Sequence, residues 1–249
     1  MSMQTGLSFE QAPPFAQPLR FFLTAPLFLL AAAGLIMLAP TALASRWTLS
    51  ALALTHALTL GFLAMAMLGA LLQMLPVVAG AALPASRGVA GSTHFLLVAG
   101  TMALMTGFLG ADARALSGAM LLLGCGFAVF LAATAIGLRR AVASATVTGM
   151  RLAAISLGLT LLLGMALASM RAGGWTPAKD EIFIAAHVGF GLLGWVLLLV
   201  IGVAYQVVPM FQITPPYPPR LMSWLAGTIL ALLLLHAIAP LLPAATEIT

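Results

Sequence analysis

The sequence predicts an all-α protein, a polytopic transmembrane helical bundle of about seven spans, and three observations carry that prediction. Of the 249 residues, 63% are hydrophobic and 6% charged, and the mean hydropathy is +1.16. A soluble domain needs far more polar residues to cover its surface, so this chain takes lipid as its solvent. The apolar residues also gather into long runs separated by proline, glycine and charge. Each run approaches or exceeds the roughly 20 residues a spanning helix needs, and helices satisfy their own backbone hydrogen bonds where there is no water.

Taken in order, residues 1–18 are polar and proline-containing and have no basic stretch, so no cleaved signal peptide is expected. The whole chain, 1–249, reads as one integral membrane domain with this short polar segment at its start. Spans are expected near 20–40, 48–79, 92–111, 114–138, 150–171, 182–210 and 222–245. The second and sixth are longer than a bilayer requires and should tilt or project from it. The sixth is followed by "FQITPPYPPR", whose prolines make an extended, stiff loop. Gly124-x-Gly126 and Gly158-x5-Gly164 suit close helix approach, within one bundle or between subunits of a homo-oligomer or a respiratory complex.

Charge sets the orientation. With seven spans, Arg20, Arg87, Arg139, Arg140, Arg151 and Arg220 share the N-terminal side, against Arg46, Arg114, Arg171 and Lys179 on the other. Six against four places the N-terminus in the cytoplasm, and a bacterial inner membrane is the expected location. Trp47, Trp175 and Trp224 fall at expected interfaces, where indole rings prefer to sit. The pI of 10.7 comes from these few loop cations, and nucleic-acid binding is not expected. Cys125 is the only cysteine, which excludes an internal disulfide, a Cys-x-x-Cys pair, an iron–sulfur site and covalent haem attachment. It reads as a small core residue.

Two of the spans share a pattern. Gly61, Gly69, Gln73 and Pro76 are each 133 positions before Gly194, Gly202, Gln206 and Pro209. This reads either as generic packing with a proline that ends the span, or as a four-helix internal repeat. The histidines break the match. His56 precedes its glycine by five residues and His187 by seven, about 200° apart in helical phase.

A histidine early in an outward-starting second helix, then a glycine and an aromatic or glutamine followed by x-x-Pro, resembles the catalytic subunit of haem–copper oxidases and nitric oxide reductases. The "HVGFGLLGW" and "YQVVP" of the sixth span look like a second helix of that type. The resemblance implies that His56 ligates a low-spin haem b in the outer half of the membrane, with His187 as second candidate. It covers about 60 residues, and the departures limit what it implies. The family has about twelve spans. There is no His-His pair for copper, and Ala185-Ala186-His187 stands where His-x-His is expected. No tyrosine lies one turn from a histidine, and no acid falls inside a span. Oxygen reduction with proton pumping is therefore not expected. A haem site, serving electron transfer or the binding of nitric oxide or oxygen, is.

The depth of the histidines agrees with that expectation. His56 lies nine residues past Trp47 and His236 nine before residue 245, each about 13 Å in, while His187 lies six past Glu181, about 9 Å in. His236 is therefore a substitute ligand, and His94 starts from the opposite side. Gly191 and Gly194 follow His187 on its own helical face, where a porphyrin can lie against bare backbone. Leu60, Leu63, Met67 and Met74 follow His56, and Arg46, Arg114 and Arg171 are candidates to pair propionates. For every histidine the rival reading is a neutral ring hydrogen-bonded within the bundle. Met65, Met67, Met74, Met102 and Met105 leave copper open as an alternative cofactor, through soft thioether ligation in a copper- or haem-handling transporter or assembly factor. A structural subunit is the third reading.

Overall fold

The computed structural model describes residue 10 and residues 12–173 and 180–241. Every regular element among them is helical. Seven helices are long and apolar enough to span a membrane: α1 (Ala16–Leu38), α2 (Leu49–Ala79), α3 (Ser86–Leu109), α4 (Ala113–Arg140), α5 (Ala145–Ala172), α6 (Glu181–Gln212) and α7 (Pro219–Ile238). Each expected span falls on one of them. Helix α3 starts earlier than hydropathy suggests, and the Ser92 hydroxyl in its polar opening stretch donates to the Gly88 carbonyl at 2.8 Å. Helix α7 ends before its apolar run does, at a short 3-10 turn, Ala239–Leu241, containing Pro240, which has no backbone N–H to continue an α-helix. Trp175, Lys179 and Glu247 lie outside the described residues, as do most of the first 18.

Local chemistry sets several boundaries. The Thr48 hydroxyl accepts the Ala51 N–H at 3.1 Å and caps α2. Asp112 caps α4 through the Arg114 N–H at 2.8 Å. Pro76 and Pro209 do not end their helices, which continue to Ala79 and Gln212. A proline removes a single hydrogen bond, and the last turn forms beyond it. Cys125 is exposed on the bundle surface, not in the core. A thiol is apolar enough to face lipid tails, so nothing drives it inward.

The chain divides into two compact units, residues 1–141 with 168–175, and residues 142–167 with 176–249. In the first, α3 and α4 pack along their length through glycines. A Cβ on Gly100 would lie 2.7 Å from Leu123 Cγ, and one on Gly107 2.9 Å from Leu116 Cδ2. Helix α2 divides its packing: residues 57–79 lie mainly on α1, and its first segment, Leu49–His56, lies mainly on α3. A Cβ on Gly69 would lie 2.8 Å from Phe21 Cβ, and one on Gly61 would run into the Phe28 ring. Ala32, Ala42, Leu54 and Ala57 form a further apolar cluster, joined by Leu35, Ile36, Leu58 and Met105.

The second unit repeats this hairpin. Gly194 meets Ser156 of α5 and Gly202 meets Gly149, as Gly61 meets Phe28 and Gly69 meets Phe21. The partners Phe28 and Ser156 are 128 positions apart, and so are Phe21 and Gly149. Two independent contacts therefore share one register. The repeat reaches the backbone too: α2 and α6 are each interrupted by an eight-residue π-helix, Ala57–Ala64 and Phe190–Leu197, again 133 apart. Each continues as a 15-residue α segment, Met65–Ala79 and Leu198–Gln212, and each ends in a left-handed residue, Gly80 at φ 60° and Ile213 at φ 53°. Helices α3 and α7 start in step, at Ser86 and Pro219, with Arg87 and Arg220 as their second residues. Chance coincidence of glycines does not produce matched helix breaks and caps. Internal duplication does.

Candidate functional site

In the first unit, the first α-helical segment of α2 ends at His56, and the π-helix begins at the next residue. The His56 ring is half-buried beside the apolar cluster that contains Leu54 and Ala57. Its Nδ1 lies 2.8 Å from the Leu52 carbonyl oxygen, one turn back. A carbonyl only accepts, so Nδ1 carries the proton and Nε2 carries the lone pair. The Phe108 ring of α3 lies 5.3 Å away, tilted by 36°.

In the second unit, His187 Nδ1 donates to the Thr160 carbonyl of α5 at 2.9 Å, which fixes the same tautomer. The ring lies over Gly164, where a Cβ would come within 2.8 Å of Cε1. The backbone strip that Gly191 and Gly194 expose on this face is covered by α5: a Cβ on Gly191 would lie 3.3 Å from the Thr160 methyl, and one on Gly194 2.7 Å from Ser156 Cβ. Missing side chains there admit a neighbouring helix. His236 is exposed on α7. Leu233, three residues before it, packs toward Gly189 and Gly194 of α6.

His94 is arranged differently. Its Nε2 lies 2.8 Å from Thr24 Oγ1, and the Thr24 hydroxyl itself donates to the Arg20 carbonyl at 2.8 Å. Thr24 must therefore accept from His94, so here Nε2 is the donor. With Phe21 edge-on at 5.1 Å, this imidazole ties α1 to α3.

No protein-family model, characterised protein or solved structure matches the chain.

The chemistry must therefore be read from the residues themselves. Among the described residues, no three of His, Cys, Asp or Glu gather closely enough to hold a metal ion. A haem asks less of the protein, because the porphyrin supplies four nitrogens and the chain only one or two. A metal-ligating imidazole commonly donates its other N–H to a carbonyl, which orients the ring and raises its basicity. His56 and His187 have that arrangement, and His94 has the reverse. The methionines are dispersed: Met65 is fully buried, Met102 is 57% exposed, and Met105 packs against the apolar cluster that contains Leu54 and Ala57. Arg46 lies 4.5 Å over the Trp47 ring. Arg114 lines an open groove of about 570 Å³ in the first unit, with Ser117, Met120, Ser169, Ala172 and Gly173.

Sequence reasoning found both imidazoles but not what orients them. The Thr160 carbonyl has no residue-type signature. Phe108 sits at a helix end like any interfacial aromatic, and the π-helices have no compositional mark.

Proposed function

We propose that this chain is a haem-b-binding integral membrane protein that transfers electrons or binds nitric oxide or oxygen. One observation carries the reading: the Nδ1–H of His56 donates to the Leu52 carbonyl, which orients a half-buried imidazole in the way a metal-ligating ring is commonly oriented, next to Leu54 and Ala57 of an apolar cluster. These residues fit an axial imidazole with an apolar wall. When bound, haem would supply a one-electron centre and an iron that a small gas can reach. The chain would orient the imidazole through the Leu52 carbonyl. His187 is the corresponding candidate in the second unit. The Arg and Lys bias supports a cytoplasmic N-terminus in a bacterial inner membrane, and the resemblance to haem–copper oxidases supports a place in electron transport.

The optical spectrum of the detergent-extracted protein tests the proposal. A sharp Soret band, with an alpha band on reduction, is expected, and His56→Ala should bleach it. Protein that is colourless, whether it carries copper or no metal, overturns the reading. A spectrum unchanged in both His56→Ala and His187→Ala removes these residues as ligands.

A further inference from the structure

The π-helices recur at one place in the two halves, although only Leu60 with Leu193 and Gly61 with Gly194 are identical among their eight paired positions. Proline does not cause them, since Pro76 and Pro209 lie well inside the following α segments. A geometry kept while its residues diverge points to a use, and π segments inside α-helices are frequent at functional sites.

In α2 the use can be read from its neighbours. The π segment and the residues after it are locked to α1 by Gly61 against Phe28 and Gly69 against Phe21, and the segment before it, Leu49–His56, lies on α3, where His56 meets Phe108. A regular α-helix fixes the angle between two such faces at about 100° per residue. A π segment takes in an extra residue and so resets that angle. We propose that the Ala57–Ala64 π-helix is a positioning element that turns His56 from the face set by α1 toward α3 and Phe108, presenting it to the haem site. The role in haem binding rests on the function proposed above. The turning of His56 does not.

Deleting Thr59, whose hydroxyl only bonds back to the Thr55 carbonyl within α2, lets the segment relax to an α-helix. His56 then rotates by about 100° and shifts by about 1.5 Å relative to the residues after the segment. In a Cys125→Ser background, His56→Cys with Phe108→Cys should be joined by a short thiol cross-linker in the full chain, and the Thr59 deletion should abolish that product. Thr24→Cys with His94→Cys, joining α1 to α3, should cross-link in both and reports the fold. Adding one alanine after Leu63 should restore the first cross-link and, in the protein that retains His56, the Soret band.

A 56–108 cross-link that survives the deletion overturns the proposal. If the deletion variant fails to fold, a cysteine scan of residues 50–68 against Phe108→Cys and Phe28→Cys in the full chain decides: a phase break within 57–64 supports it, and one unbroken periodicity overturns it. Cross-links need no haem. A colourless protein with the expected cross-links therefore sinks the function while sparing the positioning role, and a red protein whose colour and cross-link ignore the deletion does the reverse.

Discussion

The contact between Gly149 and Gly202 in the second unit makes a quantitative prediction. A Cβ added to Gly149 would lie 2.7 Å from the Gly202 Cα. Carbon atoms pack best at about 3.5–4.0 Å, so α5 and α6 would have to part by about 1 Å, and no flexible side chain is there to yield. Overpacking of this kind costs about 1–3 kcal/mol. Alanine also gains about 1 kcal/mol over glycine in helix propensity, so Gly149→Ala alone mixes two terms. Gly34 of α1 separates them, because a Cβ there meets nothing within 4 Å. Gly34→Ala should stabilise, Gly149→Ala should not, and the difference isolates the steric cost. At about 2–4 °C per kcal/mol for a chain of this size, the two melting temperatures should differ by roughly 2–12 °C. Gly202→Ala, whose Cβ would lie 3.2 Å from Gly149 Cα, should fall between them. Thermal unfolding in one detergent, followed by circular dichroism, measures all three. Equal shifts for Gly34→Ala and Gly149→Ala would refute the reasoning, because they would mean that the α5–α6 seam opens at no cost.

Other outcomes follow from the same geometry. Ile213 is 92% exposed and left-handed, at the place Gly80 holds in the first half. Ile213→Gly should therefore raise stability by about 1 kcal/mol, seen as a higher melting temperature. His94→Leu removes the hydrogen bond to Thr24 and should cost about 1 kcal/mol. It should leave the optical spectrum unchanged, in contrast to His56→Ala; bleaching by His94→Leu would show that its Nε2 is a ligand and not a donor to Thr24.

Much of the fold was legible because the signals are local. All seven spans could be read from runs of apolar residues, and Thr48 and Asp112 cap helices as their residue types lead one to expect. The duplication was half legible: four coincidences at one spacing suggested it, and the shared packing register and the paired π-helices established it. Cys125 was misread because in lipid an apolar residue gains little by being central. Gly191 and Gly194 were read as a shelf for a flat ligand, while α5 lies against them. A bare helix face records that something comes close, but not what.

The amino-acid sequence by itself therefore determined that the chain carries seven helices apolar enough to cross a bilayer and roughly where each lies. Those properties add up residue by residue along the chain. Only the tertiary structure decided which ring nitrogen carries the proton in His94 and His187, since the His187 tautomer depends on a carbonyl 27 positions away and that of His94 on a threonine 70 positions away. A proton's position on imidazole is set by whichever acceptor packing brings within 3 Å, and that depends on the register of neighbouring helices.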